Sequence, residues 1–150
     1  MDLPTAKLVQ GIVRRESLSL LSYVGDAFPW TAKLADPALA LLRQIVAEHN
    51  RAVSTLGRLL ARHRMAPPSI GSYPSSFTAI NFLALNYILA RLIDSERPSL
   101  IVLEAETAGV TDPEVRAVIE QFLNVKRGHL ARLQALAAPP PASAPTPAAS

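Results

Sequence analysis

Four polar residues interrupt apolar stripes that otherwise carry no chemistry. His129 follows Val115, Val118, Phe122 and Val125 at helical spacing and precedes Leu133 and Leu136, with Lys126 one turn before it. Glu16 breaks the run Val9, Val13, Leu20, Val24, Ala27; His49 breaks the run Leu42, Ile45, Ala52, Leu56, Leu59; and Asn86 lies between Phe82 and Leu89. One carboxylate and two imidazoles are a ligand set for Fe(II) or Zn(II). An open position on such a metal would permit oxygen or hydrolytic chemistry. The same residues without metal form a hydrogen-bonded layer, because buried polar groups are costly unless they pair. Lys126 separates the two readings. An ammonium repels a metal cation, but it completes an ion pair with Glu16. The expectation is that pair, with His49, His129 and Asn86 hydrogen-bonded around it. A metal site of Glu16, His49 and His129, with Glu48 and Asn86 as neighbours, is the alternative.

These residues need helices to hold them, and four helical segments are legible from the 3.6-residue period. The first runs from about Thr5 to Phe28, between Pro4 and Pro29. The second opens at Asp36-Pro37, a capping acid followed by a proline suited to the first turn, and ends near Arg64 before Pro67-Pro68. The third runs from Ser75-Ser76 to about Thr107, with a kink or short break expected at Asp94–Arg97 because Pro98 removes a hydrogen bond. The fourth repeats the opening signal at Asp112-Pro113 and ends before Pro139. Residues 1–137 therefore read as one all-α domain. From Ala138 to Ser150 only Pro, Ala, Ser and Thr occur, a composition that reads as a disordered tail.

The connection between the second and third segments, Met65 to Ser75, holds three prolines. Extended at ~3.3 Å per residue, its eleven residues span ~36 Å. The second helix is ~43 Å long at the helical rise. The connection can thus nearly return along the whole helix, which predicts a crossover joining two helical hairpins.

Other chemistry is thinly supported. The chain has no cysteine, so disulfides and thiolate metal sites are excluded. Ser17, Ser19 and Ser22 have no histidine at a readable spacing, and no G-x-S-x-G occurs, so no nucleophile points to an enzyme. The net charge is +3, and Arg51, Arg58 and Arg62 share a helical face. Without stacking aromatics or a basic tail this reads as a solvated face rather than a nucleic-acid stripe. His63 suits a helix C-terminus, and Glu104, Glu106, Glu114 and Glu120 read as solvent-facing or capping charges. No stretch reaches the ~18 apolar residues of a membrane span. The start MDLPTAKLVQ lacks a basic region followed by an apolar one, so a cytoplasmic location is expected.

Two hairpins, a crossover, a mid-helix Glu16 and a mid-helix His129 resemble the ferritin-like superfamily over about Thr5 to Leu136. The resemblance implies a four-helix bundle. Its di-iron members use a Glu from each of two helices and an E-x-x-H from each of the other two. Glu16 matches the first-helix carboxylate. On the second helix, Glu48-x-x-Arg51 keeps only the carboxylate and Val46-x-x-His49 only the histidine. Asn86 falls at the third-helix position, and Lys126-x-x-His129 keeps only the histidine. The resemblance therefore implies a member with an incomplete iron set.

Ala79 to Ile93 is apolar nearly all round, broken only by Asn81, Asn86 and Arg91. Such a helix needs a second covering surface. The expected cover is a partner subunit in a dimer through the third helix, with Ile70 and Tyr73 of the crossover as the alternative cover. The function implied is a non-catalytic, metal-depleted bundle, without cofactor, acting through self-association or a protein partner. The alternative is an iron or zinc protein, either an oxidoreductase or one that handles metal.

Overall fold

The computed structural model describes residues 1–27 and 36–138, and every regular element among them is helical. The stop expected at Pro29 and the tail from residue 139 onward lie outside the described residues.

Helix starts follow the local sequence. Helix α1, Leu3–Ser17, begins with Asp2 accepting a hydrogen bond from the Thr5 amide. Helix α3, Pro37–Arg62, begins with Asp36 accepting from the Ala38 amide. Helix α5, Pro113–Ala137, begins with Asp112 accepting from the amides of Glu114 and Val115. Each pairs a capping acid with a proline in the first turn, as the sequence predicts at Asp36-Pro37 and Asp112-Pro113; the Asp2 cap is an addition of the structure.

Two expectations are corrected. The first segment is not one helix: α1 ends at Ser17 and α2, Leu20–Ala27, follows. Serine hydroxyls cause the break by competing for backbone groups. Ser19 Oγ accepts from the Ser22 amide at 3.3 Å, and Ser22 Oγ donates to the Glu16 carbonyl at 3.0 Å. The third segment is divided as well, but not at Pro98. A 3₁₀ helix, Ser75–Phe82, precedes an uninterrupted α4, Leu85–Ala108, that contains Pro98. Asp94 and Pro98 both lie on the solvent face, where water can satisfy the carbonyl the proline strands.

Helices α3 and α5 run antiparallel. Glu114, at the start of α5, meets Arg62 and His63 at the end of α3, while Glu48 meets His129 and Arg132. Helix α4 packs on α5 across the turn at 109–112. Helix α1 packs on α3, and its start lies by the start of α5, with the Met1 amine 3.6 Å from Asp112. The connection after α3 runs alongside α1 and α2. Ala66 accepts from Gln10, Gly71 passes Arg14 and Leu18, and Tyr73 donates to Asp26.

Among the described residues the core forms two apolar clusters. One gathers Val9, Ile12, Leu56, Leu59, Leu103, Ile119 and Phe122; the other gathers Leu21, Val24, Leu42, Ile45, Ile88, Leu92 and Leu133. Along each helix, the polar layer described below falls between the two. The apolar excess of Ala79–Ile93 is largely used inside the chain. Ile80 of the 3₁₀ helix is buried in the same cluster as Ile88 and Leu89. The apolar side chains left open on α4 are Tyr87, Ile101 and Val102, exposed by 62%, 67% and 45%.

Gly25 marks a close approach of α2 to α3, because a Cβ there would collide with Val46 Cγ1. Gly25→Ala is expected to cost ~1–3 kcal/mol, as overpacking does. Adding Val46→Ala should recover part of that loss. Urea unfolding midpoints check this, and an unchanged midpoint in the single variant would contradict it.

Candidate functional site

Between the two clusters, four helices deliver Glu16, His49, Glu96, Lys126 and His129, each at most 1% exposed. Taking five polar groups out of water is tolerable only if they satisfy one another. Lys126 Nζ on α5 lies 2.8 Å from Glu16 Oε2 on α1 and 2.8 Å from Glu96 Oε2 on α4. The ammonium thus bridges two carboxylates, and it also sits 5.8 Å from the centre of the Phe122 ring. Glu16 Oε1 accepts from Ser99 Oγ at 3.0 Å, with Arg15 Nε at 3.6 Å. Arg15 in turn grips Glu106 through two hydrogen bonds of 3.0 and 2.8 Å, so Glu106 is a half-buried partner rather than a free surface charge. Burial pushes the Glu16 carboxyl up, but the charge and hydrogen bond of Lys126 outweigh it and hold Glu16 below the usual range.

The histidines are held differently. His49 Nε2 lies 3.1 Å from the Glu16 backbone carbonyl, freed where α1 stops. A carbonyl only accepts, so Nε2 carries the proton. Ser19 Oγ lies 3.4 Å from the same nitrogen. Residue spacing offers no reason to join Ser19 to a histidine, yet their meeting makes no nucleophile, because a protonated Nε2 cannot take the serine's proton. His49 instead closes the end of α1 and thereby helps aim Glu16 at Lys126. His129 Nε2 lies 3.0 Å from Glu48 Oε2, which Arg132 also contacts at 2.7 Å. Partial burial pushes Glu48 up, but hydrogen bonds from Arg132, His129 and Gln44 prevail and hold it at about 2. The Nδ1 atoms of both histidines are buried without a hydrogen-bond partner.

Burial holds His49 and His129 below the ordinary histidine range. A histidine depressed in the folded state binds fewer protons than its unfolded counterpart. The stability it contributes is present above the unfolded value near 6.5 and is lost as pH falls through the folded value. Thermal midpoints of the wild type should therefore drop as pH is lowered from 7 toward 5. His49→Gln should flatten that dependence. An equally steep profile in the variant would contradict the assignment.

Of the residues singled out from sequence, Glu16, His49, Lys126 and His129 come together. Asn86 does not: it is exposed on the first turn of α4, because that helix begins at Leu85 rather than at Ser75. Glu96 takes the third-helix place in the layer. The spacing Leu89, Leu92, Ile93, Glu96, Leu103 carried that signal, but a break expected from Pro98 obscured it. Ser99 and Arg15 were also missed, since neither interrupts an apolar stripe.

The side chains as placed do not fit an iron or zinc centre. An ammonium occupies the space between the two carboxylates, both histidine Nε2 atoms are committed to protein acceptors, and His129 turns outward to Glu48. Among the described residues no three of His, Cys, Asp and Glu converge as a metal-ion set. No described helix is long and apolar enough to cross a membrane. No protein-family model, curated protein or solved structure matches the chain.

Proposed function

We propose that the chain is a ferritin-like four-helix bundle in which a lysine ammonium substitutes for the metal, and that it acts without catalysis, through self-association or a protein partner. The observation that carries this reading is Lys126 Nζ at 2.8 Å from both Glu16 and Glu96. Two carboxylates facing each other across a bundle need a positive charge between them. Here the chain supplies that charge itself, at the position one turn before His129 where an E-x-x-H bundle would place a third carboxylate. The connection that runs back along α1 and α2 supports the two-hairpin topology, since ferritin-like bundles have one long crossover.

Self-association is supported by the solvent face of α4, where Ile101 and Val102 stand open beside one another and Tyr87 lies nearer the start of the helix. A patch of this kind, self-complementary about a two-fold axis, would bring two α4 helices together.

Metal content and mass test the proposal together. Protein produced in iron- and zinc-replete medium should carry well under one metal ion per chain and should sediment as a dimer. Stoichiometric iron or zinc, lost in both His49→Ala and His129→Ala, would favour the metal-protein alternative. A monomer at high concentration would remove self-association from the proposal.

A further inference from the structure

A second polar site lies away from the buried ion pairs. The break between α1 and α2, the middle of α3 and the returning connection enclose an open cleft of about 280 Å³. Ser17, Ser22, Asp26, Asn50, Ser54 and Tyr73 line it around Val53, and among the described residues no lysine, arginine or histidine does.

Three of the cleft's four hydroxyl protons are already spent. Tyr73 donates to Asp26 Oδ2 at 2.7 Å, Ser54 donates to the Asn50 carbonyl at 2.8 Å, and Ser22 donates to the Glu16 carbonyl at 3.0 Å. A hydroxyl has one proton and two lone pairs. What these three groups still offer is acceptor capacity, and the Asp26 carboxylate beside them only accepts. Burial and the contact with Asp26 push the Tyr73 phenol up to about 12, so it stays a protonated partner of that carboxylate. A concave site in which a carboxylate and three hydroxyl oxygens offer acceptors beside the Ser17 hydroxyl and the Asn50 amide, with one negative charge and no cation among its described lining residues, is complementary to a cation rich in N–H donors.

We propose that this cleft binds a small primary ammonium ion, its three N–H donors directed to Asp26, Tyr73 and the serine oxygens. The volume suits a ligand of a few heavy atoms, near the lower limit of ~300 Å³ for small-molecule pockets. The inference does not depend on the bundle's relation to metal proteins or on its assembly.

Three probes separate the physical causes in an amide-resonance titration of the whole chain at neutral pH. Ethanolamine carries charge and donors, tetramethylammonium carries charge without donors, and ethylene glycol carries hydroxyls without charge. Ethanolamine should shift the resonances of Ser17, Ser22, Asp26, Asn50, Ser54 and Tyr73 saturably in the ~1–10 mM range. The other two should not. Asp26→Asn, which keeps an acceptor for Tyr73 but removes the charge, should weaken binding roughly tenfold or more. Tyr73→Phe should weaken it less. No saturable response to ethanolamine, an equal response to tetramethylammonium, or unchanged binding in Asp26→Asn would each overturn the proposal.

Discussion

Lys126→Met should be strongly destabilising although it introduces no charge. It removes the ammonium that Glu16 and Glu96 share and leaves two carboxylates facing each other out of water. Breaking a buried pair by deleting one partner costs ~3–5 kcal/mol, a large part of a domain's ~5–15 kcal/mol of stability. Replacing the whole group is a different experiment. In Glu16→Met, Glu96→Leu, Lys126→Met no charge is left unpaired, and such exchanges are often neutral or stabilising by ~1–4 kcal/mol. The triple variant should therefore be more stable than Lys126→Met alone. Denaturant unfolding of the single and triple variants checks this. A triple variant as unstable as the summed singles would show that the three side chains do not act on one another.

A charge on α4 should have opposite consequences one face apart. Ile88 is fully buried against the second cluster, whereas Ile101 is 67% exposed. Ile88→Glu puts an ion among Leu92, Ile45 and Leu133 with no partner, and burying an unpaired charge costs many kcal/mol unless the group neutralises. That variant should not fold. Ile101→Glu should fold normally and, under the proposed assembly, should yield a monomer. Circular dichroism with sedimentation separates the cases. A folded Ile88→Glu would contradict the packing of the 3₁₀ helix against α4. A dimeric Ile101→Glu would place any assembly surface elsewhere.

The difference between Ile88 and Ile101 shows where sequence reasoning holds and where it stops. A period of 3.6 told which residues point inward only once the ends of each helix were known. Asp36-Pro37 and Asp112-Pro113 fixed two starts through cap chemistry, so His49, Lys126 and His129 were found in the right layer. The start of α4 carries no side-chain cap, and the apolar run Ala79–Ile93 crosses from a 3₁₀ helix into an α-helix without a change of composition. Asn86 was therefore assigned to the wrong face and Glu96 was passed over. The α1–α2 break was hidden for a related reason. Serines are tolerated within helices, and only the positions of Ser19 and Ser22 relative to the Glu16 carbonyl show that here they end one. Sequence did carry the pairing of Glu16 with Lys126, because two opposite charges on inward stripes have few other ways to be satisfied. It did not carry the second carboxylate, which makes the lysine a bridge rather than half of a pair.

The central claim is that the positive charge between Glu16 and Glu96 is the Lys126 ammonium, and its own resonance reports this most directly. In a ¹H–¹⁵N correlation spectrum of side-chain amines, assigned through its loss in Lys126→Met, Lys126 should appear as a slowly exchanging NH₃⁺ group. It should show through-hydrogen-bond couplings to the carboxylate carbons of both Glu16 and Glu96, and it should be unchanged by added Zn²⁺ or Mn²⁺. A Lys126 amine in fast exchange with water, or one displaced when the metal ion is added, would contradict the account.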